Sequence, residues 1–236
     1  MTPSPRTAHP YRDLDVIDAR APRFNQAVIG VGSLVAVVTG FWPILALLAA
    51  QLGIGLRYGR RYCLACVFYF EVVQPRFGEG PIEDSRPPRF ANLIGFVVLS
   101  AASLAYLAGF PLVGAALGLL VAGLALLAAV TGFCTGCWIY RIGARLRGVR
   151  AKQLDQHAFA ELGLSADGGH GDQVVAFTHP LCTDCRDLTT RLLDAGRRVH
   201  IIDVRARPDL ARMFGIAVVP MAFTIDPSGS VLRIED

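Results

Sequence analysis

Long apolar blocks alternate along the chain with short arginine-rich stretches. No Asp, Glu, Lys or Arg occurs in the 33 residues from Phe24 to Leu56, nor in the 49 from Asn92 to Tyr140. A helix needs about 20 apolar residues to cross a bilayer. The second block therefore holds two spans comfortably, and the first holds two short ones. Each block is broken by a turn signal, Gly40-Phe41-Trp42-Pro43 in the first and Gly109-Phe110-Pro111 in the second. Proline suits the first position of the returning helix, where its missing N–H would have had no partner. The pattern predicts two helical hairpins with spans over 26–41, 43–58, 92–109 and 111–134.

The hairpins read as a duplication. Asp18-Ala19-Arg20-Ala21-Pro22-Arg23-Phe24 returns 66 residues later as Asp84-Ser85-Arg86-Pro87-Pro88-Arg89-Phe90, with five of seven positions identical. In each copy an apolar run, a turn and a second apolar run lead to a C-x-x-C pair. Asp18 and Asp84 are expected to pair with neighbouring arginines, with Arg23 and Arg89 anchoring helix ends at lipid headgroups. The alternative is an anion or quinone site. Polar side chains at the span starts and within them (Asn25, Gln26, Gln51, Asn92) should face the bundle, because lipid offers them no hydrogen-bond partner.

Basic residues set the expected orientation. Fifteen lie in the N-terminal tail, in the middle loop and just after the last span, and the two hairpin turns carry none. The positive-inside rule places both termini and the middle loop in the cytoplasm. The expected location is the cell (inner) membrane, multi-pass, with the lipid bilayer as a partner. A net charge of +4 is no nucleic-acid signal when its arginines flank apolar blocks. The first 23 residues are polar and rich in Pro and Arg, so no cleavable signal peptide is expected.

From Arg141 the chain reads as soluble. Residues 151–172 predict an amphipathic helix and a Gly/Ser/Asp-rich linker, giving domains at 1–150, 151–172 and 173–236. From Gln173 strands and helices alternate: strand Val174–Phe177, helix Cys182–Ala195, strand Val199–Val204, a short helix Pro208–Phe214, and strands Ala217–Ile225 and Val231–Ile234. The predicted fold class is an all-α four-helix membrane domain joined to a small α/β domain.

All six cysteines fall into C-x-x-C pairs: Cys63/Cys66, Cys134/Cys137 and Cys182/Cys185. Three pairs with none left over point to redox or metal chemistry rather than to small buried hydrophobes. Cys182 opens a helix, where the dipole and the free amides stabilise a thiolate. Asp184 opposes that effect, and Arg186 and His179 partly offset it. Both membrane pairs should sit at the cytoplasmic ends of spans two and four. Leu64 and Ala65 are good helix formers, which makes Cys63/Cys66 the poorer disulfide candidate. Gly132 and Gly136 could relax the backbone around Cys134/Cys137.

A strand, a C-x-x-C opening a helix, and a Val219-Pro220 step into a later strand together resemble the thioredoxin/glutaredoxin superfamily over residues 173–236. The resemblance implies that Cys182 attacks, that Cys185 resolves the mixed disulfide, and that Pro220 is cis and lies against the pair. Thr183-Asp184 stand where that family usually has Gly-Pro, and its last helix has no counterpart here. Gly132-Phe133-Cys134-Thr135-Gly136-Cys137-Trp138-Ile139-Tyr140, with the Arg23-Phe24-Asn25 start of span one, is similar to an uncharacterised bacterial four-helix membrane family with an F-C-x-G-C-x-x-Y signature, over residues 14–147. That resemblance implies an architecture and no activity.

Three readings of the membrane cysteines stay open. They are redox dithiols exchanging with Cys182/Cys185, with quinone as a conceivable electron acceptor. Alternatively, Cys63, Cys66, Cys134 and Cys137 converge as one tetrahedral Zn²⁺ or iron site, which two C-x-x-C pairs suit. In the third reading they relay heavy metals. The expected function is a membrane-tethered thiol–disulfide oxidoreductase with a cytoplasmic dithiol, acting on a protein or small-molecule thiol or disulfide. A metal-binding membrane scaffold is the alternative.

Overall fold

The computed structural model describes residues 8–147, 173–225 and 231–235. The expected amphipathic helix and linker at 151–172 lie outside the described residues. The chain divides into two compact units, one formed by Thr7–Gly80 with Ser85–Tyr140, the other by Pro81–Asp84 with the chain from Arg141.

The first unit is helical. After a short strand, β1 (Val16–Asp18), come α1 (Arg20–Thr39) and α2 (Pro43–Tyr58). The helical segments α3 (Leu64–Phe68) and α4 (Gln74–Phe77) follow, joined by a π-helical turn over Tyr69–Val73. The unit is completed by α5 (Arg86–Leu107), α6 (Pro111–Thr131) and the start of α7 (Thr135–Arg147). Helices α1, α5 and α6 are each long and apolar enough to cross a membrane, and α2 is a shorter apolar helix of 16 residues. The α1/α6, α2/α5 and α5/α6 pairs pack most extensively. Their core is built from Ile29, Ala36, Leu45, Leu48, Leu52, Leu99 and Val121. Apolar side chains also cover the outside: Val38 is 75% exposed, Leu112 85% and Val130 84%. A water-facing surface would not carry such a set contiguously, whereas lipid solvates it.

Two expectations for the repeated motif change. Helix α1 starts at Arg20, inside the motif, where Asp18 Oδ1 accepts the Arg20 N–H at 2.9 Å and satisfies one of the free amides of the first turn. Asp18 is buried and serves as a hub, its Oδ2 accepting from the Tyr69 hydroxyl (2.9 Å), the Gly80 N–H (2.9 Å) and the Gln74 amide (3.3 Å). Burial and this hydrogen bond to a carboxylate push the Tyr69 hydroxyl pKa up. Arg89 donates to the Leu56 carbonyl at 3.1 Å and so satisfies the last turn of α2. The half-buried guanidinium of Arg60 holds the Leu14 carbonyl at 2.9 Å, and desolvation lowers its pKa to about 10.

The second unit carries a four-stranded sheet in the order β4-β3-β5-β6, with β3 (Gln173–Thr178), β4 (Arg198–Asp203), β5 (Met221–Ile225) and β6 (Val231–Glu235). Strand β3 pairs parallel with β4 and antiparallel with β5, and β5 pairs antiparallel with β6. Val174–Phe177 are fully buried, as a central strand covered on both faces requires. Helix α8 (Thr183–Asp194) buries Cys185, Leu188 and Leu192, one stripe at helical period. Helix α9 (Pro208–Met213) follows β4. Phe177, Phe214 and Phe223 pack with ring centroids 5.7–6.0 Å apart. The unit also holds β2 (Ile82–Asp84), which the sequence assigned to domain 1–150. The Ile82 N–H donates to Thr183 Oγ1 at 3.0 Å, and Asp84 Oδ2 accepts the Val219 N–H at 3.1 Å.

Candidate functional site

The three cysteine pairs share one local design. Each first cysteine stands just before a helix, and its carbonyl accepts the first helical amide, from Val67 (2.9 Å), Trp138 (2.9 Å) or Arg186 (3.4 Å). Each second cysteine sits one turn in. The Cys185 N–H reaches Cys182 Sγ at 3.2 Å and the Cys137 N–H reaches Cys134 Sγ at 3.3 Å. In the Cys63 pair the Cys66 amide favours the Cys63 thiolate electrostatically without closing to full hydrogen-bond geometry. The backbone at Cys63 (φ −88°, ψ 111°) is extended like that at Cys182 (φ −76°, ψ 123°). Leu64 and Ala65 therefore do not place Cys63 inside a helix. A break at Gly59 and a 3₁₀ turn over Arg60–Tyr62 separate it from α2.

Cys182 and Cys185 form a disulfide across a Cα separation of 5.3 Å. The His179 carbonyl accepts the Cys182 N–H at 3.0 Å, and His179 Nδ1 accepts the Leu181 N–H at 3.2 Å, so this buried histidine braces the loop that leads into the pair. The Val219–Pro220 bond is cis. Val219 and Met221, on either side of Pro220, share a core cluster with both cysteines. Arg186 is exposed and Asp184 half-buried.

The other four cysteines carry thiols. Cys63 and Cys66 line an open cleft, together with Asn25, Gln51, Arg60 and Asn92 among apolar walls. The hydrogen-bonding Cys66 thiol, opposed by burial and helped by the Gln51 amide and nearby backbone N–H groups, lowers the Cys63 pKa to about 6. The same contact and burial drive the Cys66 pKa up. Cys134 lines a second open cleft, with Gln26, Asn25 and Asn92. Here the Cys137 thiol, against burial and with help from the Gln26 amide, lowers the Cys134 pKa to about 6. Gln51 donates to Asn25 and Asn25 to Asn92, each at 3.4 Å, so an amide chain runs between the clefts.

Each pair opens onto its own cleft, and among the described residues no group of three or more His, Cys, Asp or Glu side chains could hold a metal ion. Sequence reasoning placed Gln26 and Gln51 inside the bundle but missed them as thiolate partners. The available signal was a lone glutamine in an apolar stretch, one per cysteine pair. Gly136 matters for packing rather than for backbone freedom: a Cβ there would come within 2.9 Å of the Ala91 Cβ. Gly132 does take a left-handed turn (φ 76°), ending α6 before Cys134.

A family model described as Domain of unknown function (DUF4395) matches residues 17–145, which takes in all four thiol cysteines and stops before the disulfide. No curated protein and no solved structure matches the chain.

Proposed function

The chain belongs to the DUF4395 family, whose description assigns no activity, and from the cysteine chemistry we propose that it is a membrane-tethered thiol–disulfide oxidoreductase. The observation that carries this reading is the Cys182–Cys185 disulfide at the start of α8, packed with the residues flanking cis Pro220. The sheet order and strand directions fit a thioredoxin-like domain, with α8 and α9 as its two helices. In the reduced state the Cys182 thiolate attacks one sulfur of a substrate disulfide R–S–S–R′, forming Cys182–S–S–R and releasing R′–S⁻. Cys185 then attacks Cys182 Sγ, restoring the Cys182–Cys185 disulfide and releasing R–S⁻. Two electrons pass to the substrate, and the two thiol protons pass to the leaving thiolates.

Resetting the pair needs a dithiol. We assign that role to Cys63/Cys66 or Cys134/Cys137, whose helix-start geometry and lowered first-cysteine pKa suit thiol exchange. The bilayer location rests on α1, α5 and α6. Helix α2 is about 24 Å long at 1.5 Å per residue, short of the roughly 30 Å hydrocarbon core. In our reading it still spans, with Trp42 and Tyr58 at its two ends, so that four passes leave both termini in the cytoplasm at the cell membrane.

Trapping tests the reading. Full-length protein, reduced and then mixed with a disulfide-bonded protein, should accumulate a mixed disulfide when it carries Cys185→Ser and none when it carries Cys182→Ser. Neither variant forming an adduct, with both thiols alkylatable, overturns the assignment.

A further inference from the structure

Both sulfurs of the Cys182–Cys185 disulfide are buried, Cys182 at 0% and Cys185 at 1% exposure. Thiol exchange requires an incoming sulfur to approach along the S–S axis, so whatever covers the pair must leave before it reacts. A segment distant in sequence is bound to residues on both sides of the pair. Ile82 and Asp84, exposed by only 6% and 3%, grip the two sides of the site. The Ile82 N–H binds Thr183 Oγ1 (3.0 Å), on the residue next to Cys182. The Asp84 carboxylate binds the N–H of Val219 (3.1 Å), the residue before cis Pro220. Residues 82–84 are extended, and the segment reads apolar, acidic, acidic.

We infer that the surface over the disulfide is a recognition strip for an extended acidic peptide segment, and that Ile82–Asp84 of this chain occupies it in cis. The strip offers an acceptor at Thr183 Oγ1 and a backbone donor at Val219. A chain fits by presenting a main-chain N–H at one residue and a carboxylate two residues later, with an apolar side chain at the first. This names a substrate class for the redox reading, on which it rests: extended acidic segments that displace the chain's own. It also makes the resident segment a brake, because Cys182 meets no substrate while Ile82–Asp84 stays in place.

The test uses the full-length protein and measures how fast dithiothreitol reduces Cys182–Cys185, by quenched alkylation and mass spectrometry. Asp84→Ala and Thr183→Val each remove one grip, and each should speed reduction about tenfold, the weight of one hydrogen bond of this kind. Asp84→Asn keeps an acceptor for Val219 and should fall between wild type and Asp84→Ala. A synthetic peptide of residues 80–86 should slow reduction of the Asp84→Ala protein, and the same peptide with its Asp84→Ala change should not. Rates within twofold of wild type in both variants, with the pair reducible, overturn the strip and leave the redox reading standing. A pair that stays inert in every variant overturns both.

Discussion

The backbone amide of Cys137 donates to the sulfur of Cys134 at 3.3 Å, repeating in an apolar-helix unit what Cys185 does for Cys182 at 3.2 Å in the sheet unit. A helix start supplies each first cysteine with nearby backbone amides, and in the two thiol pairs the second cysteine's thiol adds a hydrogen bond that lowers the pKa of Cys63 and of Cys134.

The pH profile of alkylation should show this. A cysteine with a pKa of about 6 is largely thiolate at pH 7. Peptide-resolved iodoacetamide labelling of Cys63 and Cys134 should therefore rise through pH 6 and level off by pH 8. An ordinary thiol, with a pKa near 8.5, would still be climbing there. Lowering a pKa favours the charged form above it, so replacing the donor with Cys66→Ala should move the Cys63 profile to higher pH and slow its labelling at pH 6 by about tenfold or more. Profiles that climb past pH 8 in the wild-type protein would contradict the thiolate assignment.

Asp18→Asn should destabilise the first unit by about 1–3 kcal/mol. The Arg20 N–H donates to Oδ1, and the Tyr69 hydroxyl and the Gly80 and Gln74 N–H groups to Oδ2, so the NH₂ of an asparagine must face donors at one of the two places, where it cannot accept. Tyr69→Phe removes one donor and leaves the carboxylate its other partners, so it should cost less. Thermal unfolding in detergent compares the two, and an Asp18→Asn protein as stable as wild type would deny the hub role.

Much of this was legible before any coordinates. The charge-free blocks marked all four apolar helices, because a bilayer-length helix leaves a long signature that local exceptions cannot erase, although α1 and α5 each begin six residues earlier, inside the repeated motif. Gly40, Gly109 and Pro43 marked the turns through backbone chemistry alone. The strand and helix order after Gln173 was readable from period and turn residues, as was the cis Val219–Pro220 step from resemblance. The carboxylate roles were not legible. Asp18 and Asp84 occupy equivalent positions in a repeat, yet one gathers the 69–80 loop and the other reaches Val219, 135 residues away. Long-range partners of a short polar side chain leave no periodic trace, and an adjacent arginine is the default guess.

Gly136→Ala should destabilise the start of α7 by about 1–3 kcal/mol, an overpacking cost. The added carbon would lie 2.9 Å from the Ala91 Cβ and 3.0 Å from its Cα. Combining it with Ala91→Gly removes the first clash and keeps the second, so stability should return in part. Thermal unfolding of the three variants forms the cycle, and additive losses would show that the two residues do not meet.

The two thiol clefts should respond independently to their glutamines. Gln51 supports the Cys63 thiolate and Gln26 the Cys134 thiolate, while Asn25 and Asn92 line both clefts. Gln51→Leu deletes an amide from one thiolate only, so Cys63 should titrate higher while Cys134 keeps its profile. Gln26→Leu should do the reverse. Leucine fills a similar volume and suits an apolar helix, so a change in one profile with the other fixed cannot come from general unfolding. Asn25 sits between Gln51 and Asn92 in the amide chain, so Asn25→Leu tests for communication and should disturb Cys63 through Gln51. Peptide-resolved alkylation between pH 5 and 9 reads both cysteines in one sample. If either glutamine variant moves both profiles together, the pairs act as one coupled centre, and the separate clefts seen in the fold do not describe the working protein.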